Sequence, residues 1–238
     1  MKRAVLIAYA IVAYAGFLGT NLWAMAFLAN FELSHSIDHG HLVPPGLAVA
    51  TDAGLLVLFA VHHSVMARPA AKQVLTRLVP QAAERSTYVL VADLLLTLVL
   101  LGWRPLPHAV WDLQGELLRA LVWAVYLFGW LIAIGSTFMI DHFDLVGLKQ
   151  AASPDYRAPS FQARWLYVVV RHPLMLGLLI VLWATPTMSV GHLLFSGVWS
   201  VYIALGIALE ERGLRRELGE PYAEYASRTP AIIPGLGR

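Results

Sequence analysis

The chain has 238 residues, of which 58% are hydrophobic and 13% charged, with a formal net charge of +2. Soluble globular chains carry about 25% charged residues, so this composition excludes an ordinary water-soluble domain as the main body. Cysteine is absent, which removes a disulfide frame, a thiolate metal site and a cysteine nucleophile.

Taken in chain order, the apolar runs approach the roughly 20 residues a bilayer core demands of a helix. Ala4–Ala29 carries no charge and follows Met1-Lys2-Arg3. It is too long for the roughly 7–15-residue apolar core of a secretory signal and is expected to be a first membrane helix. Leu47–Val65 is broken only by Asp52, His62 and His63; Thr87–Gly102 holds one charge, Asp93; Leu121–Ile140 holds none. Pro173–Val190 and Leu193–Leu209 are short for independent spans and predict a tilted hairpin that crosses only in part. The expected fold is an all-α integral membrane protein with five or six transmembrane helices. It forms a single domain over residues 1–238, with front helices in 1–140 and a C-terminal part in 141–238.

Lys and Arg fall in alternate connections. One set holds Lys2, Arg3, Arg68, Lys72, Arg77, Arg85, Lys149, Arg157, Arg164, Arg171, Arg212, Arg215, Arg216, Arg228 and Arg238; the other holds only Arg104 and Arg119. That bias predicts a multi-pass protein of the bacterial cytoplasmic (inner) membrane with both termini cytoplasmic. Basic loops beside anionic lipid account for the positive charge without a nucleic acid, and no obligate protein partner is expected. Ser86 or Thr87 is a candidate cap for the third apolar helix. The segment 141–171 should be irregular around Pro154 and Pro159. Beyond Leu209 the helix formers run to Leu218, break at Gly219 and resume after Pro221.

Arg171-His172-Pro173 opens an apolar helix, so a proline that needs no donor sits in the first turn beside unpaired backbone N–H groups. Glu210-Glu211 stands where the last apolar run emerges, followed by Gly219, Tyr222 and Tyr225. These pieces, in this order, resemble the signature of the isoprenylcysteine carboxyl methyltransferase and phospholipid methyltransferase superfamily of membrane enzymes. The front of the chain narrows the likeness. His63-Ser64-Val65-Met66-Ala67-Arg68-Pro69, Glu84-Arg85-Ser86-Thr87-Tyr88, Trp103-Arg104-Pro105, Asp141 to Gln150 and Ser36-Ile37-Asp38 look like the bacterial methanethiol S-methyltransferases. The resemblance implies S-adenosyl-L-methionine in a cytoplasmic pocket formed by the C-terminal hairpin and tail. Its implied contacts are Gln150, Tyr167, Arg171, His172, Pro173, Met175, Gly177, Glu210, Glu211 and Tyr222. Met175 stands where the family carries Tyr. Gly206 occupies the place of the Arg with which the carboxyl methyltransferases hold a prenylcysteine carboxylate, which disfavours a carboxylate-bearing acceptor. The implied reaction is methylation of methanethiol to dimethyl sulfide. Alternatives are another small thiol or a lipid acceptor and, outside the enzymes, a transporter or channel using Asp52, Asp93 and the histidines.

A thiol methylated at neutral pH must lose its proton, so a nearby base is expected. The candidates are His63, His62, His142 and Asp141. His62 and His63 point about 100° apart on a helix, so only one faces a given pocket. Asp52 and Asp93 are read as structural polar contacts within membrane runs. His35 and His39 are four apart, as two metal ligands on a helix would be. Their loop lacks helical pattern, and no metal is expected.

Overall fold

A computed structural model describes residues 2–153, 156–157 and 163–235, which leaves Pro154 and Pro159 outside the described residues. Among the described residues, five helices are long and apolar enough to cross a membrane: α1 (Lys2–Leu28), α2 (Pro45–Met66), α4 (Glu84–Gly102, led by the 3-10 turn Gln81–Ala83), α5 (Glu116–Ile140) and α10 (Val190–Leu218). Between them lie α3 (Pro69–Leu78), strand β1 (Ala109–Asp112), the short helices α6 (His142–Leu145), α7 (Leu148–Ala152) and α8 (Leu166–Val169), helix α9 (Pro173–Trp183) and strand β2 (Thr187–Ser189). The tail ends in α11 (Glu220–Arg228). Leu22, Leu131 and Val5 are more than half exposed along these spans, as side chains facing lipid would be. The protein is an all-α integral membrane protein that passes the bilayer several times.

The chain forms two compact units. The first comprises Met1–His108, Asp141–Pro159 and Ser189–Leu194; the second comprises Ala109–Ile140, Ser160–Met188 and Phe195–Arg238.

In the first unit α1 and α2 both pack on α4. Polar pairs fix the register, because in lipid an unpaired polar group costs several kcal/mol. Tyr9 donates to Thr87 Oγ1 at 3.0 Å, Thr20 and Thr97 meet at 3.2 Å, and Phe27 meets Trp103 edge to face. Asp52, fully buried, accepts the Arg104 amide at 2.8 Å. That is the structural contact expected of it. Asp93 is buried in the middle of α4. The cap expected at Ser86 or Thr87 is not there. α4 starts at Glu84 behind Pro80 and the 3-10 turn, and Thr87 instead returns its hydroxyl to the Ala83 carbonyl at 2.8 Å.

In the second unit α5 packs along α9 with backbone almost touching backbone. A Cβ on Gly177 would lie 2.5 Å from the Ala133 nitrogen and 2.6 Å from the Gly129 oxygen. Gly129 and Ala133 form the small-xxx-small stripe that admits a close helix approach in lipid. α9 and the later part of α10 run antiparallel, with Ser196 Oγ on the Leu182 carbonyl (2.6 Å) and Trp183 Nε1 on Ser200 Oγ (3.0 Å). α9 has 11 residues, about 16 Å at 1.5 Å per residue, which is half the ~30 Å hydrocarbon core. An extended segment ending in β2 follows it. Pro186 accepts the Leu113 amide at 2.9 Å and β2 pairs with β1, the strand ahead of α5. α9 is thus an apolar helix too short to cross the core by itself.

Candidate active site

The open end of the α9–α10 hairpin gathers the residues that the sequence marked in two places. Arg171 and His172 sit just before the proline-started α9, and their amides donate to the Pro230 and Ala231 carbonyls at 2.9 and 3.0 Å. Glu211 is the hub. Its Oε1 accepts from Arg171 Nε at 2.7 Å, from Tyr222 Oη at 2.9 Å and pairs with His172 Nε2 at 2.9 Å. Arg171 also donates Nη1 to the carbonyls of Ala226 and Thr229, so its guanidinium is spent on its own chain. His172 and Tyr222 are buried. Burial, then the carboxylate beside it, raises the Tyr222 phenol, which stays protonated and donating. Gly219, at φ 62°, makes the turn that folds α11 and Tyr222 back onto Glu211.

Glu210 differs from its neighbour. Its side chain is 52% exposed, and Oε2 stands 3.6 Å from His172 Nδ1. Tyr167, in α8, is half-buried and gives its carbonyl to Tyr225 Oη at 2.5 Å. Burial, against a hydrogen bond to Ser136 and with Glu210 nearby, pushes the Tyr167 phenol up to about 12. Burial likewise takes Tyr225 to about 12. Glu210, His172, Tyr167 and the Glu211 hub thus come together. Pro173 is buried in the first turn of α9, and Met175, two residues on, is half-buried. Gly177 lies against α5, where its missing side chain serves helix packing.

The other candidates belong to the first unit. Asp141 caps α6, accepting the Asp144 amide at 3.1 Å, and pairs with Lys149 Nζ at 2.5 Å. Burial opposes its ionisation, but the Lys149 and Asp144 donors outweigh that and hold the carboxyl below its ordinary range. His142 is 5% exposed, ringed by Tyr14, Phe17 and Phe143, with Nε2 3.1 Å from the Tyr14 hydroxyl. Burial lowers its pKa, with Asp141 opposing in part, so the imidazole is neutral at pH 7 and able to accept a proton. Gln150 donates to the Asp144 carboxylate at 2.5 Å, while its Oε1 is buried without a partner. His63, in the last turn of α2, stacks on Phe59 and meets the Tyr88 hydroxyl at 2.9 Å.

Tyr14 and Tyr88 were missed from the sequence, although each is a phenol inside an apolar run and so needed a polar partner. Among the described residues no group of His, Asp and Glu is arranged to hold a metal. In the α1–α2 loop His39 Nδ1 is engaged by Ser36 Oγ at 2.7 Å.

Fold and site together define a multi-pass helical membrane protein with a carboxylate–histidine–tyrosine cluster where its last hairpin opens. The family model described as NnrU protein matches residues 53–229, and the chain belongs to that family. It is 44% identical to methanethiol S-methyltransferase 2 of Bradyrhizobium diazoefficiens, over 98% of this chain and 92% of that protein. It is 41% identical to the methanethiol S-methyltransferase of Mycobacterium tuberculosis, over 98% of each. Similarity extends to nurim of Sus scrofa at 32% identity, over 75% of this chain and 71% of nurim. No solved structure matches the chain.

Proposed function

We propose that this protein transfers a methyl group from S-adenosyl-L-methionine to methanethiol, releasing dimethyl sulfide, at the cytoplasmic face of a bacterial inner membrane with both termini on that face. The observation that carries the reading is the near full-length likeness, at 38–44% identity, to proteins named methanethiol S-methyltransferase. The donor set at the hairpin's open end fits the cofactor. Glu210 offers an exposed carboxylate for ribose hydroxyls or an ammonium, and Tyr167 and His172 flank it with aromatic edges. Arg171, Glu211 and Tyr222 hold that end together, and Pro173 and Met175 belong to the same first turns. Gln150, whose buried Oε1 has no partner, is a further contact that the family resemblance implies.

When bound, S-adenosylmethionine supplies a methyl on a positively charged sulfur. The thiol sulfur gives an electron pair to that carbon, the old carbon–sulfur pair stays with the departing thioether, and the thiol proton goes to a base. His63 takes it, with the Tyr88 hydroxyl fixing the imidazole. His142, oriented by Tyr14 and flanked by Asp141, is the rival. In-line positioning supplies several kcal/mol of the barrier reduction, so little further machinery is required. A small apolar thiol suits a site among membrane helices, and Gly206 offers no cation for a carboxylate acceptor. The test is headspace gas analysis of purified protein given S-adenosylmethionine and a thiol panel. Methanethiol should be methylated in preference to hydrogen sulfide, longer thiols and phospholipid; methylation of lipid alone would overturn the assignment.

A further inference from the structure

α3 is a 10-residue helix with no buried side chain, placed between two membrane helices. Ala71, Val74, Leu75 and Leu78 recur at the i, i+3, i+4, i+7 spacing of a single helix face. Val74 is 56% exposed and Leu78 79% exposed, while Ala71 and Leu75 are half-buried, so the described chain covers that face only in part. At about 100° per residue, Lys72 and Arg77 flank the stripe on opposite sides, with Gln73 and Thr76 behind. Arg68 precedes the helix, Arg85 follows it, and 68–83 contains no acidic residue.

The tether decides what covers the stripe. α2 ends at Met66, and only Ala67 and Arg68 separate it from Pro69. Two residues reach about 7 Å, so α3 cannot leave the level at which α2 emerges from the bilayer. An apolar stripe bordered by cations at that level matches an amphipathic helix lying in the headgroup layer. We propose that α3 is an anionic-lipid-binding element. Ala71, Val74, Leu75 and Leu78 dip into the acyl boundary, and Lys72 and Arg77, with Arg68 and Arg85, engage the phosphates of acidic phospholipids. This assignment is independent of the methyl-transfer reaction.

The absence of native cysteine allows single spin labels to report alone. Leu78→Cys, Val74→Cys and Gln73→Cys would each be nitroxide-labelled in the full chain. Each would be reconstituted in vesicles of phosphatidylcholine alone or with a third phosphatidylglycerol. With the anionic lipid, the first two labels should favour oxygen over a water-soluble nickel chelate several-fold more than the Gln73→Cys label. In the neutral vesicles that difference should shrink. Adding Lys72→Gln and Arg77→Gln should abolish the response to phosphatidylglycerol while leaving the spans inserted. Equal nickel accessibility at all three sites would show α3 standing in water and overturn the proposal. Equal immersion in both lipids would overturn its anionic selectivity.

Discussion

Gly177→Ala separates two roles for one residue: cofactor contact, as the resemblance implied, or helix-packing glycine. A Cβ at this position would stand 2.5 Å from the Ala133 nitrogen, 2.6 Å from the Gly129 oxygen and 2.9 Å from the Ala133 Cα. Carbon contacts relax at about 3.5–4.0 Å. All three neighbours are backbone atoms of α5, so no side-chain rotation relieves the clash and the two helices must move apart. Overpacking of this kind costs about 1–3 kcal/mol, and three backbone clashes place it near the upper end. Alanine returns up to ~1 kcal/mol through its better helix propensity. The expected net loss is about 2 kcal/mol, or ~4–8 °C in Tm for a chain of this size. Thermal unfolding in detergent, followed by intrinsic fluorescence, reads it. Gly129→Ala meets the movable Ile180 and Val181 methyls at 2.9 and 3.0 Å besides one carbonyl, so it should lose less. If Gly177→Ala keeps its Tm but loses S-adenosylmethionine affinity, the packing argument fails and the glycine belongs to the cofactor.

Glu211→Gln, which breaks the hub for Arg171, His172 and Tyr222, should destabilise the protein by ~3 kcal/mol, because it leaves a buried guanidinium uncompensated. Glu210→Ala should leave Tm unchanged and weaken S-adenosylmethionine at least tenfold in calorimetry, about 1.4 kcal/mol; the opposite pattern would exchange the roles. His142 has a folded pKa below its unfolded one, so its stabilising contribution is present above about pH 6.5. It is lost as pH falls through the folded value, and the acid-side drop in Tm should flatten in His142→Gln. A slope that persists unchanged in the variant would assign it to another group. His63→Ala should bind S-adenosylmethionine normally and turn over ~10²–10⁴-fold more slowly, with partial rescue at alkaline pH. Normal turnover there, with loss in His142→Ala, would move the base to His142. A periplasm-only reporter fused to the C-terminus should stay silent, and a strong signal would invert the topology.

The spans were legible because a bilayer forces long apolar runs, and the break at Gly219 because only a positive-φ residue makes that turn cheaply. Pro173 marked the start of α9 for a similar local reason. What local pattern could not supply was partner choice across helices. Glu210 and Glu211 are adjacent and alike in sequence, yet they point about 100° apart, and only the returning α11 makes one the hub and the other free. The same holds for Gly177, whose contact is with residues more than forty positions earlier, and for the hydroxyls of Tyr14 and Tyr88. The start of α4 was misplaced because the cap rule favoured Ser86 and Thr87, while Pro80 and the 3-10 turn set it from upstream.

The reaction itself is tested most directly with isotope. Purified protein in vesicles would be given S-adenosylmethionine bearing a trideuterated methyl group together with methanethiol, and the headspace analysed by mass spectrometry. The account predicts dimethyl sulfide carrying one intact trideuteromethyl group, formed in proportion to enzyme and strongly reduced in Glu210→Ala. No volatile product, or label recovered only in the lipid fraction, would contradict it.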